Sequence, residues 1–109
     1  MEEYDLIPRK ELRNRLIVLI EHLLKLEYSI EEKDFSARGW RGTVVEQRRQ
    51  INYILADSPS LKPMFNDLFP DCYTDARNDT IRKYQLPSEL FPEEPPFSLI
   101  QILDVDFIP

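Results

Sequence analysis

The sequence has few of the residues on which recognisable active sites depend. Its 109 residues include one cysteine, one histidine and two glycines. The lone Cys72 forms no disulfide within the chain, which agrees with a reducing cytoplasm. One histidine and one cysteine do not make a conventional zinc site, and two glycines are too few for a glycine-rich phosphate loop. No cofactor and no metal are therefore expected, and no catalytic signature is found.

Long apolar runs are also missing, except for a partial one at residues 11–28. Glu21, His22 and Lys25 interrupt it, so it resembles neither a signal peptide nor a membrane span, which needs about 20 apolar residues. Its apolar positions recur at helical spacing: Leu12, Leu16, Leu19, Ile20, Leu23, Leu24 and Leu26. An arc this wide needs neighbours on more than one side, which predicts the central helix of a bundle.

The whole pattern predicts an all-α protein with a single domain over residues 1–109. It would be a small helical bundle of three main helices, with a proline-rich extended C-terminal strap and one short helical turn. The core helices are predicted at about 9–28, 37–57 and 60–84, and the strap at 86–109.

Proline and serine residues suggest where these helices begin. Pro8 suits the start of the first helix, since its missing N–H would be unpaired there. Ser36 and Ser60 are candidate N-caps of the second and third helices. Residues 29–34 are polar and acidic and are predicted to form a surface connection, with Phe35 folded back as a plug.

The third helix contains Pro70, which leaves two interpretations. Its apolar stripe keeps one phase through the proline: Leu61, Phe65, Leu68, Phe69, Cys72, Ala76 and Thr80. The continuous pattern favours a single kinked helix, whereas proline chemistry favours a break near Phe69. We predict the kinked helix.

Five of the nine prolines fall in the last 23 residues and favour extended backbone there. Disorder is the competing interpretation. However, Phe91, Phe97 and Phe107 offer apolar area worth burying, and Ser98 can cap a short turn over residues 99–103. We predict an ordered strap wrapped over the bundle.

Charge is uneven along a chain whose formal net charge is −6. Residues 9–49 hold ten Lys/Arg against seven Asp/Glu, whereas residues 50–109 hold four against ten. The simple interpretation is that acidic and basic elements pack together. The alternative is a nucleic-acid surface using basic residues of the first half: Arg9, Lys10, Arg13, Arg15, Arg38, Arg41, Arg48 and Arg49. The negative net charge weighs against it, because phosphate contacts need a positive surface.

Polar residues near the predicted core are the candidates for chemistry. His22 lies at the border of the apolar arc and is expected to bond a carbonyl, or a carboxylate of another helix, rather than act as a general base. Asp71, Asp75 and Asp79 share one edge of the third helix and are expected to be solvated or paired with arginine rather than to bind Mg²⁺. Cys72 falls on the buried face of that helix, as a small apolar residue.

Trp40, Val44, Ile51, Ile54 and Leu55 form the buried stripe of the second helix. Two polar residues, Gln47 and Arg48, lie inside this stripe and at its edge. A buried-edge arginine needs an acceptor, and Asp75 stands at the corresponding border of the third helix. We predict an Arg48–Asp75 bridge that sets register more than stability, with Gln47 bonded to backbone near the kink or the strap.

Several stretches together resemble the domain of unknown function 29 family, small and largely helical bacterial proteins abundant in cyanobacteria. They are His22–Lys25, Trp40, Glu46–Arg49, Asp57–Leu61, Tyr73, Asp75–Arg77, Phe91–Glu94, Ile102–Asp104 and Phe107–Pro109. Their order and spacing, from about residue 10 to the end, carry the resemblance. It implies a helical fold in a bacterial cytoplasm and no established activity. The residues singled out as structural or possibly functional are His22, Trp40, Gln47, Arg48, Tyr73, Asp75 and Arg77.

Typical members have a further N-terminal helical segment that Met1–Pro8 cannot replace. The exposed flank of the first helix is therefore expected to be covered by a second copy, giving a homodimer. The predicted function is a noncatalytic protein-interaction or structural module with an unknown protein partner and no membrane. The alternatives are a nucleic-acid-associated protein using the arginine faces of the first two helices and, third, an enzyme using His22.

Overall fold

Three long helices make up most of the chain. The computed structural model describes the backbone of residues 2–109 and the side chains of residues 9–29 and 36–109. The helices are α1 (Glu2–Tyr28), α2 (Ile30–Asp57), α3 (Lys62–Tyr84) and the short α4 (Leu99–Leu103), with 3₁₀ turns at Pro59–Leu61 and Ser88–Leu90. Residues 2–109 contain no strand, so the predicted all-α fold is confirmed.

The apolar face of α1 is the centre of the bundle. All seven leucine and isoleucine residues predicted for it have no exposed area. They are covered because α1 packs against α2, α3 and α4, which confirms a central helix with several neighbours. These seven residues therefore offer no exposed apolar surface to a second copy, whereas Ile17 and Val18 of the same helix are half-buried. Dimerisation through α1 stays a prediction.

The predicted start of α1 was wrong. The helix begins at Glu2, so Pro8 lies inside it rather than at its first turn. Glutamate and leucine before the proline are good helix formers, and the helix continues through Pro8 although the proline lacks one backbone donor. The predicted plug at Phe35 lies outside the described side chains.

The predicted connection at residues 29–34 was also wrong, because α2 begins at Ile30. Only Ser29 separates the helices: its φ of −92° and ψ of 66° leave the helical region. Its N–H still donates to the carbonyl oxygen of Lys25 at 2.9 Å. The following residues include no proline or glycine and continue as helix, which places Ser36 inside α2 rather than at its cap.

Helix α3 passes through Pro70 without interruption, so a single helix is confirmed, whereas the kink at the proline stays a prediction. Pro70 is exposed, and its missing N–H is therefore lost on the side where water can bond the freed carbonyl. The ends of α2 at Asp57 and of α3 at Tyr84 are those predicted. Ser60 is not the cap of α3, because it lies within the 3₁₀ turn that precedes the helix.

The C-terminal strap is ordered and packs on the bundle. Phe91, Phe97 and Ile102 are buried in the same core as the long helices. The predicted turn is α4, where Ser98 Oγ accepts from the Gln101 N–H and Gln101 Oε1 accepts from the Ser98 N–H. This reciprocal capping explains how five residues hold a helical turn.

Candidate functional site

Arg48 is buried where α2 meets α4. Its Nε donates to the carbonyl oxygen of Ile102 at 2.8 Å, and Nη2 donates to that of Gln101 at 3.3 Å. The Ile102 carbonyl lies at the end of α4, where carbonyls lack partners within the helix, so the guanidinium takes the place of a missing donor. The Gln101 carbonyl also accepts from the N–H of Asp104 at 3.2 Å. Burial lowers the pKa of Arg48, and the nearby charge of Asp104 opposes that shift. The predicted Arg48–Asp75 bridge was wrong. Arg48 binds carbonyl oxygens of the strap, and Asp75 pairs with Arg13 instead.

Two residues of α3 hold the other end of the strap. Arg77 donates from Nε and Nη2 to the carbonyl oxygen of Phe91 at 3.3 and 3.2 Å, and from Nη2 to that of Ser88 at 3.0 Å. The hydroxyl of the buried Tyr73 donates to the carbonyl oxygen of Pro92. Burial raises the pKa of Tyr73 to about 12. Arg48, Tyr73 and Arg77 therefore fasten the strap at two points.

Asp75 and Gln47 belong to ion-pair networks on the outside of the bundle. Asp75 accepts from Arg13 Nη2 at 2.8 Å, which links α3 to α1 and raises the pKa of Arg13. Gln47 Oε1 accepts from Arg15 Nη1 at 3.2 Å, and Arg15 also pairs with Glu11. Gln47 was predicted to bond backbone near the kink or the strap, and this was wrong: it is only half-buried and meets α1 instead.

His22 makes a bond within its own helix. Its Nδ1 lies 2.8 Å from the carbonyl oxygen of Val18, and because a carbonyl only accepts, Nδ1 carries the proton. Burial lowers the pKa of His22, although the bond to Val18 opposes the shift. The expected hydrogen bond to a carbonyl is present, and this carbonyl belongs to α1 itself.

Trp40 lies beside the buried Lys25. In the sequence, this lysine is only an interruption of the apolar run at residues 11–28. Lys25 is 2% exposed. Its Nζ donates to the Tyr84 hydroxyl at 2.7 Å and lies 5.1 and 4.3 Å from the ring centroids of Trp40 and Tyr84. Contacts between a cation and aromatic faces stabilise such a charge. The position of Lys25 among predicted core leucines could have indicated that this lysine is buried. Its aromatic partners could not be predicted, because they are far away in sequence.

A groove on the outer side of α2 was not predicted. It has a volume of about 380 Å³ and is lined by Val45, Arg48, Arg49, Asn52, Tyr53 and Val105. We call it the α2 groove. Val45 and Tyr53 are each 60% exposed and Val105 is 65% exposed. Val45 and Tyr53 lie on the face of α2 opposite its buried stripe, and this pattern in the sequence could have indicated an exposed apolar surface.

A second groove lies beside α4. It has a volume of about 320 Å³ and is lined by Leu55, Lys62, Phe65, Asn66, Leu99, Ile100 and Leu103. Ile100 is 83% exposed, the most exposed of the large apolar side chains described. Since Arg48 joins α2 to α4, both grooves lie near the same junction.

The remaining candidates for chemistry have structural surroundings. Cys72 is buried with its Sγ 3.9 Å from the carbonyl oxygen of Arg13, and burial raises its pKa to about 11. Such a thiol is a poor nucleophile near neutral pH. Among the side chains of residues 9–29 and 36–109, no three His, Cys, Asp or Glu residues are grouped closely enough to hold a metal ion. Within the described part of the chain, no helix combines the length and apolar character needed to cross a membrane.

A family model described as Domain of unknown function DUF29 matches residues 4–108. Searches of curated proteins and of solved structures find no match.

Proposed function

This chain belongs to the family described as Domain of unknown function DUF29, and we propose that it acts as a noncatalytic protein-interaction module. The observation that carries the proposal is the group of large apolar side chains exposed around the junction of α2 and α4. Val45, Tyr53, Ile100 and Val105 are between 60% and 83% exposed. Exposed apolar patches of this kind mark interaction sites in proteins that otherwise bury their apolar residues.

The helices that carry these side chains are held in place, which supports the proposal. Helix α4 is capped at Ser98 and held by Arg48, and Tyr53 stands on the long helix α2. A partner would meet side chains already held in place, which reduces the entropy lost on binding. Tyrosine is also a residue type that contributes strongly at interfaces.

Nucleic-acid binding has less support from the basic residues. Of the eight considered, four are engaged within the chain: Arg13 with Asp75, Arg15 with Glu11 and Gln47, Arg48 with the strap, and Arg49 with Glu46. The negative net charge also opposes approach of a polyanion. We therefore expect no binding of single- or double-stranded DNA or RNA in fluorescence anisotropy even at low salt.

A photo-crosslinking experiment tests the interaction role. A benzophenone amino acid replaces Tyr53 in one variant, Ile100 in a second and the exposed Asn78 of α3 in a control. We expect a defined protein adduct in host cells from position 53 or 100, and none from position 78. The adduct should survive nuclease treatment. Absence of a protein adduct from both test positions, or loss of the adduct with nuclease, would contradict the proposal.

A further inference from the structure

The α2 groove combines apolar walls with positive charge. Val45, Tyr53 and Val105 supply apolar surface, whereas Arg48, Arg49 and Asn52 supply hydrogen-bond donors. Two cationic side chains line it, and no carboxylate does. The groove is therefore suited to a ligand with an apolar body and a negative group.

Arg48 provides a buried charge behind the groove wall. It is 2% exposed, and the two carbonyl oxygens it binds are neutral. Its third nitrogen, Nη1, has no hydrogen-bond partner among the described residues. Asp104 lies close enough to affect Arg48, but it is exposed, so water screens it. Charge in a poorly solvated site acts over a longer distance than charge in water, and the field of Arg48 thus favours an anion in the adjoining groove.

Arg49 provides an accessible charge at the rim. Its side chain is 57% exposed and pairs with Glu46, three residues earlier on the same helix. Exposed pairs of this kind contribute little to stability, because water screens both charges. An incoming carboxylate can therefore replace Glu46 at little cost, and a guanidinium binds a carboxylate through two parallel hydrogen bonds.

We propose that the α2 groove binds a segment of another protein in which an aspartate or glutamate stands beside a large apolar residue. The apolar side chain lies against Val45, Tyr53 and Val105, and the carboxylate accepts from Arg49 in the field of Arg48. This inference rests on the proposed function and specifies the chemistry of the partner. A two-fold contact of this groove with itself is disfavoured, because it would bring the arginines of two copies together.

Peptide display on the full chain tests the inference. A random peptide library is selected against the protein, and enriched peptides are synthesised with a fluorophore for anisotropy measurements. We expect enriched sequences to carry Asp or Glu next to Leu, Ile, Phe or Trp. Replacing that acid by its amide in the peptide should weaken binding at least tenfold, a readout that requires no change in the protein.

Two pairs of protein variants locate the binding. Arg49→Glu and Val105→Asp should each raise the Kd at least tenfold. Their matched controls, Arg82→Glu on α3 and Ile108→Asp on the strap, replace exposed side chains outside the α2 groove and should leave the Kd within about twofold. Circular dichroism checks that all four variants retain the helical content of the wild type.

The outcomes separate this inference from the proposed function. Failure to enrich peptides, or binding unaffected by amidation or by Arg49→Glu, overturns the inference. A further variant, Ile100→Asp on α4, tests the second groove. Binding lost in this variant but not in Val105→Asp also overturns the inference, although an interaction role would stand on the second groove. A wild-type dimer in light scattering that Val105→Asp dissociates would assign the groove to a second copy and overturn the choice of partner. The crosslinks from positions 53 and 100 decide the interaction role independently.

Discussion

At Arg48, a buried guanidinium is hydrogen-bonded to backbone carbonyls rather than to a carboxylate. We predict that Arg48→Met lowers the free energy of unfolding by about 2–3 kcal/mol. Hydrogen bonds from a charged donor contribute roughly 1.5–3 kcal/mol each, and removing the buried charge recovers part of that loss. Urea unfolding followed by circular dichroism measures the change.

The exposed neighbour Arg49 is the control for this prediction. Arg49→Met should change the free energy of unfolding by no more than about 0.5 kcal/mol, as usual for surface substitutions. If Arg48→Met were as stable as the wild type, the prediction would be wrong. The two hydrogen bonds to carbonyls would then only offset the free-energy cost of burying the charge.

His22 gives the protein a defined response to acid. Its pKa in the folded protein is lowered from 6.5 by burial, so near this pH the unfolded chain binds more protons than the folded one. The free energy of unfolding therefore falls as the pH drops from the unfolded pKa towards the lower folded pKa, and does not change through His22 above that range. His22→Gln should remove this part of the pH dependence.

Proton NMR can follow the His22 titration directly, because the chain has one histidine. We expect its ring protons to report a midpoint below 6.5 in the folded protein and near 6.5 in urea. A folded-state midpoint at or above the unfolded one would show that burial does not dominate at this residue.

At the scale of elements, both glycines stand where alanine is preferred, and one glutamine stands where glycine is preferred. Gly39 and Gly42 lie inside α2, and a Cβ added at either meets nothing within 4 Å. Gln85, which ends α3, has φ of 53°, a left-handed conformation that is costly for residues with a Cβ. The helices are therefore not at their stability optimum.

We predict that Gly39→Ala and Gly42→Ala each raise the free energy of unfolding by about 0.5–1 kcal/mol. Gln85→Gly should raise it by about 1 kcal/mol. Thermal and urea unfolding of the single variants and of the triple variant measure the effects. Gly39→Pro, which should lower stability by about 3 kcal/mol, is the opposite control; a loss of stability in either alanine variant would contradict the interior placement of the glycines.

At the scale of the whole molecule, the strap and the long helices share one core. Phe91, Phe97 and Ile102 are buried together with the leucines of α1, while Arg48 and Arg77 fasten the strap to α2 and α3. A segment joined in this way should not unfold separately, since its release would expose the core of the bundle.

We therefore predict a single unfolding transition. Fluorescence of the only tryptophan, Trp40, and circular dichroism of the helices should give the same urea midpoint. A Trp40→Phe, Phe107→Trp variant places the reporter on the strap and should show one shared transition as well. A strap signal that changes at lower urea than the helical signal would identify two units instead of one.

Local patterns were sufficient for elements whose partners lie close in sequence. The buried face of α1 follows from leucine spacing alone, and the cap of α4 depends on Ser98 and Gln101, three residues apart. The end of α1 at Tyr28 was predicted, but the connection after it was predicted too long, because Ser29 alone separates the helices without a proline or glycine to mark the junction. The α2 groove was missed because Val105 is more than fifty residues away from Val45 and Tyr53.

The sequence by itself determined the helical class, the central position of α1 and the presence of an apolar strap, because these depend on repeated spacing and on total apolar content. Only the tertiary structure decided which groups bind the charged side chains. The buried Arg48 binds the strap, the buried Lys25 contacts Tyr84 and Trp40, and the more exposed Asp75 binds Arg13. A buried charge takes whichever acceptor the packing brings within about 3 Å, and that distance depends on how the helices lie together rather than on the residues beside it.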